Sequence, residues 1–182
     1  MKRLLVALLM CLGCTGAVQA QDAKPDLLLY IHPDEYRHEV RLGVLPYYIV
    51  WAHKGQPLER AARQAFEGRF GKIGMCEGTN GADMVVWLQP VLTYSPPMEI
   101  YHAKVVARFF RADGRQIGQL EATGTYPSEI GSNLVETHVQ NAFDAAMQSI
   151  VDQYAASTAI ANAMDTSLPK SPCALVALVP RL

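Results

Sequence analysis

His32, Asp34, Glu35, His38 and Glu39 fall within one short stretch, "IHPDEYRHEVR", which runs from Ile31 to Arg41. Imidazole nitrogens and carboxylate oxygens are the ligand types of Zn²⁺ and its neighbours. In an extended chain His32, Asp34 and His38 share parity, with Tyr36 between them, so a strand would set all three on one side. A helical site would instead need ligands paired at i and i+4, and these residues do not supply that spacing. Pro33 also stops a helix from running through His32. Two readings result. One is a metal or small-ligand site on His32, Asp34 and His38 within the His32–Glu39 stretch. The other, which the irregular spacing favours, is a solvated link between two strands, with Arg37 and Arg41 pairing the acids.

Other candidate chemistry is sparse. There is no Gly-x-Ser-x-Gly elbow to present a nucleophile. His102 lies near Glu99, but both sit on what reads as the polar face of a half-buried strand. "GTNGAD" lacks the Lys-Ser/Thr ending and the strand–loop–helix setting of a phosphate loop. No nucleophile, base and orienting group can be assembled, so the reading is a protein without catalytic activity and without a cofactor.

Aromatic residues point to binding instead. Tyr30, Tyr36, Tyr47, Tyr48, Trp51, Tyr94 and Tyr101 gather near strand ends. Tyr and Trp are enriched where a surface is buried against a partner, although strands favour aromatics for packing alone. Tyr36, Tyr47, Tyr48 and Trp51 are the candidate contacts for an envelope protein or a second copy of the chain.

The N-terminus reads as a secretory leader. Met1-Lys2-Arg3 is basic, Leu4 to Leu12 is a short apolar run, and Val18-Gln19-Ala20 puts small residues before the expected cut after Ala20. The run is short against the ~20 apolar residues of a spanning helix. Cys11-Leu12-Gly13-Cys14 is a poor lipidation box, because Cys11 and Leu12 replace its usual Leu and small residue. Periplasmic location is therefore expected ahead of outer-membrane anchoring. The chain carries 16 Lys+Arg against 17 Asp+Glu. Loss of Lys2 and Arg3 with the leader leaves a small acidic excess, which is no footprint for nucleic acid. Outside the leader only Cys76 and Cys173 remain, and in an oxidising compartment they are expected to pair.

These residues must be positioned by a core, and the pattern predicts one. Leu27 to Ile31 reads as a strand. Leu42 to Trp51 is rich in β-formers, and Pro46 makes it an edge strand, a bulged strand or two short strands. "HKGQPLERAARQAFEGRFG" carries Leu58, Ala61, Ala62, Ala65, Phe66 and Phe70 on one helical face, with Gly71 and Gly74 ending the helix. Met84 to Leu88 is apolar on both sides, as in a central strand. Tyr101, Ala103, Val105, Ala107 and Phe109 alternate into a hairpin turned at Asp113-Gly114. A last helix is expected from Ser132 or Asn133, with a stripe from Val135 to Tyr154. The fold class is α+β, a mixed β-sheet of about four to five strands with two main helices packed on one face. Residues 1–20 are the leader, 21–154 one domain and 155–182 a C-terminal tail.

"GQPLERAARQAFEGRFGKI", "ADMVVWLQP", "FFRADGRQIG" and "AFDAAMQSIVDQY" follow one another in that order. This succession resembles periplasmic and outer-membrane accessory proteins, namely the lipopolysaccharide-assembly accessory lipoproteins and curli-secretion-like domains. The resemblance covers about two thirds of the chain. It implies a non-catalytic module assisting envelope assembly or export, and it carries over no site residues.

Overall fold

The computed structural model describes residues 27–45, 48–77, 81–128, 134–161 and 173. The leader therefore lies outside the described residues. Five strands form a mixed sheet in the order β4-β1-β5-β6-β7. They are β1 (Leu27–Tyr30), β4 (Ile73–Met75), β5 (Met84–Ser95), β6 (Ile100–Arg111) and β7 (Gln116–Pro127). A separate antiparallel ribbon is made by β2 (Glu39–Leu45) and β3 (Tyr48–His53). Of the options that Pro46 allowed, the chain takes two short strands.

The sheet is parallel on one side and antiparallel on the other. β1 pairs in parallel with both β4 and β5, whereas β5, β6 and β7 form an antiparallel meander. The pattern read one crossover and missed the short β4, whose three residues carry a glycine at their centre. β5 runs on through Pro90, past Trp87, the last residue that pairs with β1. A proline is tolerated there because β1 no longer offers a ladder partner.

Two helices pack on one face of this sheet. Helix α2 (Gly55–Phe66) buries Leu58, Ala61, Ala62 and Phe66. Helix α3 (Val135–Ala156) buries Val139, Ala142, Phe143, Ala146, Met147, Ile150, Val151 and Tyr154. They meet the inward residues of β6, Ala103, Val105, Ala107 and Phe109, in one core. That alternation is the one read from the sequence. Two helix ends differ from expectation. Helix α2 stops at Phe66, ahead of Gly71 and Gly74, and Gly68 takes the left-handed turn at φ 87. Gly71 lies beyond that turn and Gly74 lies within β4. The first residue before α3 is Leu134, with no side-chain cap, and Ser132 and Asn133 lie outside the described residues.

The described residues of the tail, up to Ala161 and at Cys173, pack onto the domain. A short helix α4 (Thr158–Ala161) brings Ile160 into the main core. Cys173 reaches the opposite face of the sheet, where it joins Leu28, Val85, Trp87 and Phe110. The expected Cys76–Cys173 disulfide is present, with Cα atoms 5.5 Å apart. No helix among the described residues is long and apolar enough to cross a membrane.

Candidate binding surface

The stretch that opened the question folds as a single helical turn. Pro33–Arg37 forms helix α1, with Pro33 in its first position, where a missing N–H does no harm. His32 caps it, and its Nδ1 accepts a hydrogen bond from the Asp34 N–H at 3.2 Å. His38 lies at the far end of α1, in extended backbone. The helix thus separates the residues that a strand would have aligned. Among the described residues no group of three or more His, Cys, Asp or Glu side chains is placed to hold a metal ion, so His32, Asp34 and His38 are not gathered into a ligand set.

Two of the acids here, Glu35 and Glu39, have partners other than Arg37 and Arg41. Glu35 pairs with Lys54, which also donates to the Pro90 carbonyl at 3.5 Å. Glu39 pairs with His53 at 3.2 Å. Arg37 turns back to the Pro33 carbonyl at 3.4 Å. Lys54 is buried, and nothing in its sequence neighbourhood announced that role. A buried ammonium is tolerated only when paired and hydrogen-bonded. Glu35→Ala should therefore lower the unfolding free energy by about 2 kcal/mol, because Lys54 keeps only one long hydrogen bond. Urea denaturation at neutral pH measures this, and Glu35→Gln should recover part of the loss.

Tyr36 is a clamp more than a contact surface. Its hydroxyl donates to Glu59 Oε2 at 2.8 Å. Glu59 also accepts from Arg63 Nε at 2.8 Å, and Arg63 donates to the Ile73 carbonyl at 3.0 Å. The chain of bonds joins α1, α2 and β4. Contact is close on the backbone side too. A Cβ on Gly55 would sit 2.3 Å from the Tyr36 carbonyl oxygen, so only glycine lets α1 and α2 meet.

The hydrogen bond to Glu59, then burial, raises the Tyr36 pKa above its ordinary 10.0. Burial raises Tyr101 and Tyr154 as well. A raised folded-state value means that the native protein holds these protons more tightly than the unfolded chain. That stability is present below pH ~10 and is lost as pH rises through the folded values. Absorbance titration at 295 nm should show these tyrosines ionising above the normal range. Tyr36→Phe should remove the Glu59-linked part of the shift and about 1 kcal/mol of stability.

Of the two aromatic candidates whose side chains are described, Tyr36 and Trp51, Trp51 is the exposed one. It is 55% exposed and faces Arg41 across the β2–β3 ribbon. Arg41, Trp51, Glu39 and His53 make the outer face of that ribbon. Leu42 and Ala52 point into the core. Tyr47 lies outside the described residues, and Tyr48 is described by its backbone alone, as the first residue of β3. The other strand-end aromatics are packing groups. Tyr94 lies against Tyr101 at 4.7 Å between ring centres, and Tyr30 meets Trp87 edge-on at 6.0 Å.

Beside the ribbon, Ala52, His53, Pro57, Arg60, Glu136 and Val139 line a groove of about 290 Å³, counting space open to solvent. That is smaller than the cavities which bury most of a small ligand. Arg60, one of its lining residues, donates to Gln140 Oε1 at 2.9 Å. Sequence reasoning also passed over His138, which is stacked between Tyr101 and Tyr126 with ring centres 5.6 Å from each. His138 lies three residues after Val135 and four before Ala142, so the helical stripe itself carried that signal.

No family model and no curated protein matches the chain, so neither of the families resembled in pattern is matched. A solved candidate lipoprotein of Caulobacter crescentus CB15 overlaps 76% of this chain and 90% of its own length. It does so at 11% identity and a TM-score of 0.43, an overlap too loose to bring any function with it.

Proposed function

We propose that this is a non-catalytic accessory protein of the cell envelope that works by docking a protein partner or a second copy of itself. The secretory leader read at the N-terminus supports an envelope setting, periplasmic or at the outer membrane. The observation that carries the binding role is Trp51, held outward on a ribbon whose other face is anchored in the core. A tryptophan is the side chain most often found at the energetic centre of an interface. A two-stranded ribbon braced by Leu42 and Ala52 presents it with little freedom to lose on binding. Arg41 opposite adds a cation that can stack on an aromatic ring or pair with a carboxylate.

A photo-crosslinking residue in place of Trp51 should capture a discrete envelope protein or a dimer. Trp51→Ala should weaken recovery of that partner at least tenfold, a loss of about 1.4 kcal/mol. Stability should change by no more than about 0.5 kcal/mol, because the side chain is on the surface. Light scattering after size exclusion separates self-association from a foreign partner. A strict monomer whose envelope contacts are unchanged by Trp51→Ala would remove the proposal.

A further inference from the structure

The two edges of the main sheet are unlike. β4 at one edge is three residues long, whereas β7 at the other runs from Gln116 to Pro127. β7 pairs with β6 on one side, and among the described residues no strand pairs with its other side. A sheet edge presents a row of main-chain N–H and C=O groups, which proteins blunt with a short strand, a bulge, proline or lysine. β4 is blunted by its length. β7 has none of these devices between Gly118 and Tyr126. Its register shift lies beside the turn, opposite Phe109 and Phe110. The stretch from Gly118 to Tyr126 holds a single charge, Glu121. Lys104 of the neighbouring β6 pairs with that carboxylate at 2.6 Å.

We propose that the outer edge of β7 pairs with the β7 of a second copy of this chain, antiparallel about a two-fold axis, so that the two sheets run on as one. Alternate residues of an antiparallel strand turn both N–H and C=O to the same side. Another extended backbone is what matches that spacing. The Gln153 side chain of α3 donates to the Glu121 carbonyl at 3.1 Å. This assigns Glu121 to the outward set, with Thr123 and Thr125 in the same phase. β7 complements itself. With the axis at Thr123, that residue meets its own copy, and Glu121 of each chain meets Thr125 of the other. Threonines opposite one another hydrogen-bond across strands, whereas like charges directly opposite repel, and here the two glutamates stay apart. The residues turned toward the helices at the seam, Ala122 and Gly124, are small and buried. A two-fold contact uses the same strand of both copies. The joined main sheet is then left with the short β4 at each end, so the assembly closes at two. The seam does not include Trp51 and is a second contact, independent of the ribbon.

Light scattering after size exclusion should find the chain dimeric at tens of micromolar. Charge reads the register. Thr125→Glu sets a carboxylate against Glu121 of the other copy, twice in each dimer, and should weaken association about tenfold. Thr125→Lys sets an ammonium there and should hold or tighten it. Thr125 is exposed, so both variants should keep the native far-ultraviolet circular dichroism. Thr123→Cys places a thiol on the axis, where paired strands set Cα atoms about 5.5 Å apart, within reach of a disulfide. Mild oxidation should therefore link this variant into covalent dimers. Thr125→Cys, whose copies lie roughly 14 Å apart in this register, should stay unlinked. A monomer at those concentrations would overturn the proposal. So would a dimer that responds alike to the two Thr125 charges, or one that cross-links through Thr125→Cys ahead of Thr123→Cys. A dimer that Trp51→Ala dissolves and Thr125→Glu spares would place the contact on the ribbon instead, and the β7 seam would fall.

Discussion

Phe66→Ala should lower the unfolding free energy by about 4 kcal/mol, which large-to-small changes of buried aromatics commonly reach. Phe66 is fully buried at the end of α2. It meets Phe70 at 5.7 Å, Phe109 at 6.5 Å and Tyr154 at 6.4 Å, all edge-on. One ring thus ties α2 and the turn after it to β6 and α3. Its removal forfeits apolar burial and leaves a cavity walled by sheet and helices, which cannot easily collapse. Each edge-on pair adds roughly 0.5–1.5 kcal/mol beyond area. Phe66→Leu should retain most of the stability. Guanidinium denaturation decides the matter: a loss below about 1 kcal/mol for Phe66→Ala would mean that the four rings do not form the junction described.

Gly124→Val should lose about 3 kcal/mol for the opposite reason, overpacking. A Cβ at Gly124 would lie 2.1 Å from the Ala142 carbonyl oxygen and 2.4 Å from the Ala146 nitrogen. Both are backbone atoms, so no side chain can swing aside. The whole of α3 would have to rise from β7, and with it the stripe that closes the core. A Tm drop on the order of 10 °C is expected in a chain of this size. Gly68 provides the contrast. Its φ of 87 disfavours a side chain, but nothing lies within 4 Å of its Cβ position. Gly68→Ala should therefore show backbone strain alone, about 1 kcal/mol. If the two substitutions proved equally mild, close approach of helix to sheet would not be what Gly124 serves.

What could be read in the sequence depended on how local its cause was. The alternation from Tyr101 to Phe109 and the stripe from Val135 to Tyr154 are set by periods of two and 3.6 residues, so they survived intact into the fold. The Cys76–Cys173 pairing followed from there being two cysteines outside the leader. Strand order had no such signature. Nothing in "LLLYI" says that it lies between β4 and β5, because lateral neighbours are chosen by the whole packed sheet. β4 was invisible because three residues around a glycine carry almost no pattern. At the candidate site, the proline argument kept a helix from running through His32. It did not reveal that Pro33 would begin one. Lys54 was illegible for a different reason, since its burial depends on Glu35 and Pro90 arriving from elsewhere in the chain. Trp51 was singled out with three tyrosines, but only the ribbon's register separates its outward side chain from the inward Ala52.

The place of β1 in the sheet also sets the order in which the protein can assemble. β5, β6, β7 and α3 follow one another in the chain, so their contacts close short loops and can form early. β1 is made before all of them, yet its ladder partners lie about fifty residues downstream. It pairs on both sides and its leucines are wholly buried. Its insertion must wait for α2 and β4 to arrive, and until then the apolar edge of β5 stays open. The slow step in refolding should therefore be the docking of Leu27–Tyr30. Mutations there should retard folding, while those in the β6–β7 turn should mainly change how an early nucleus forms.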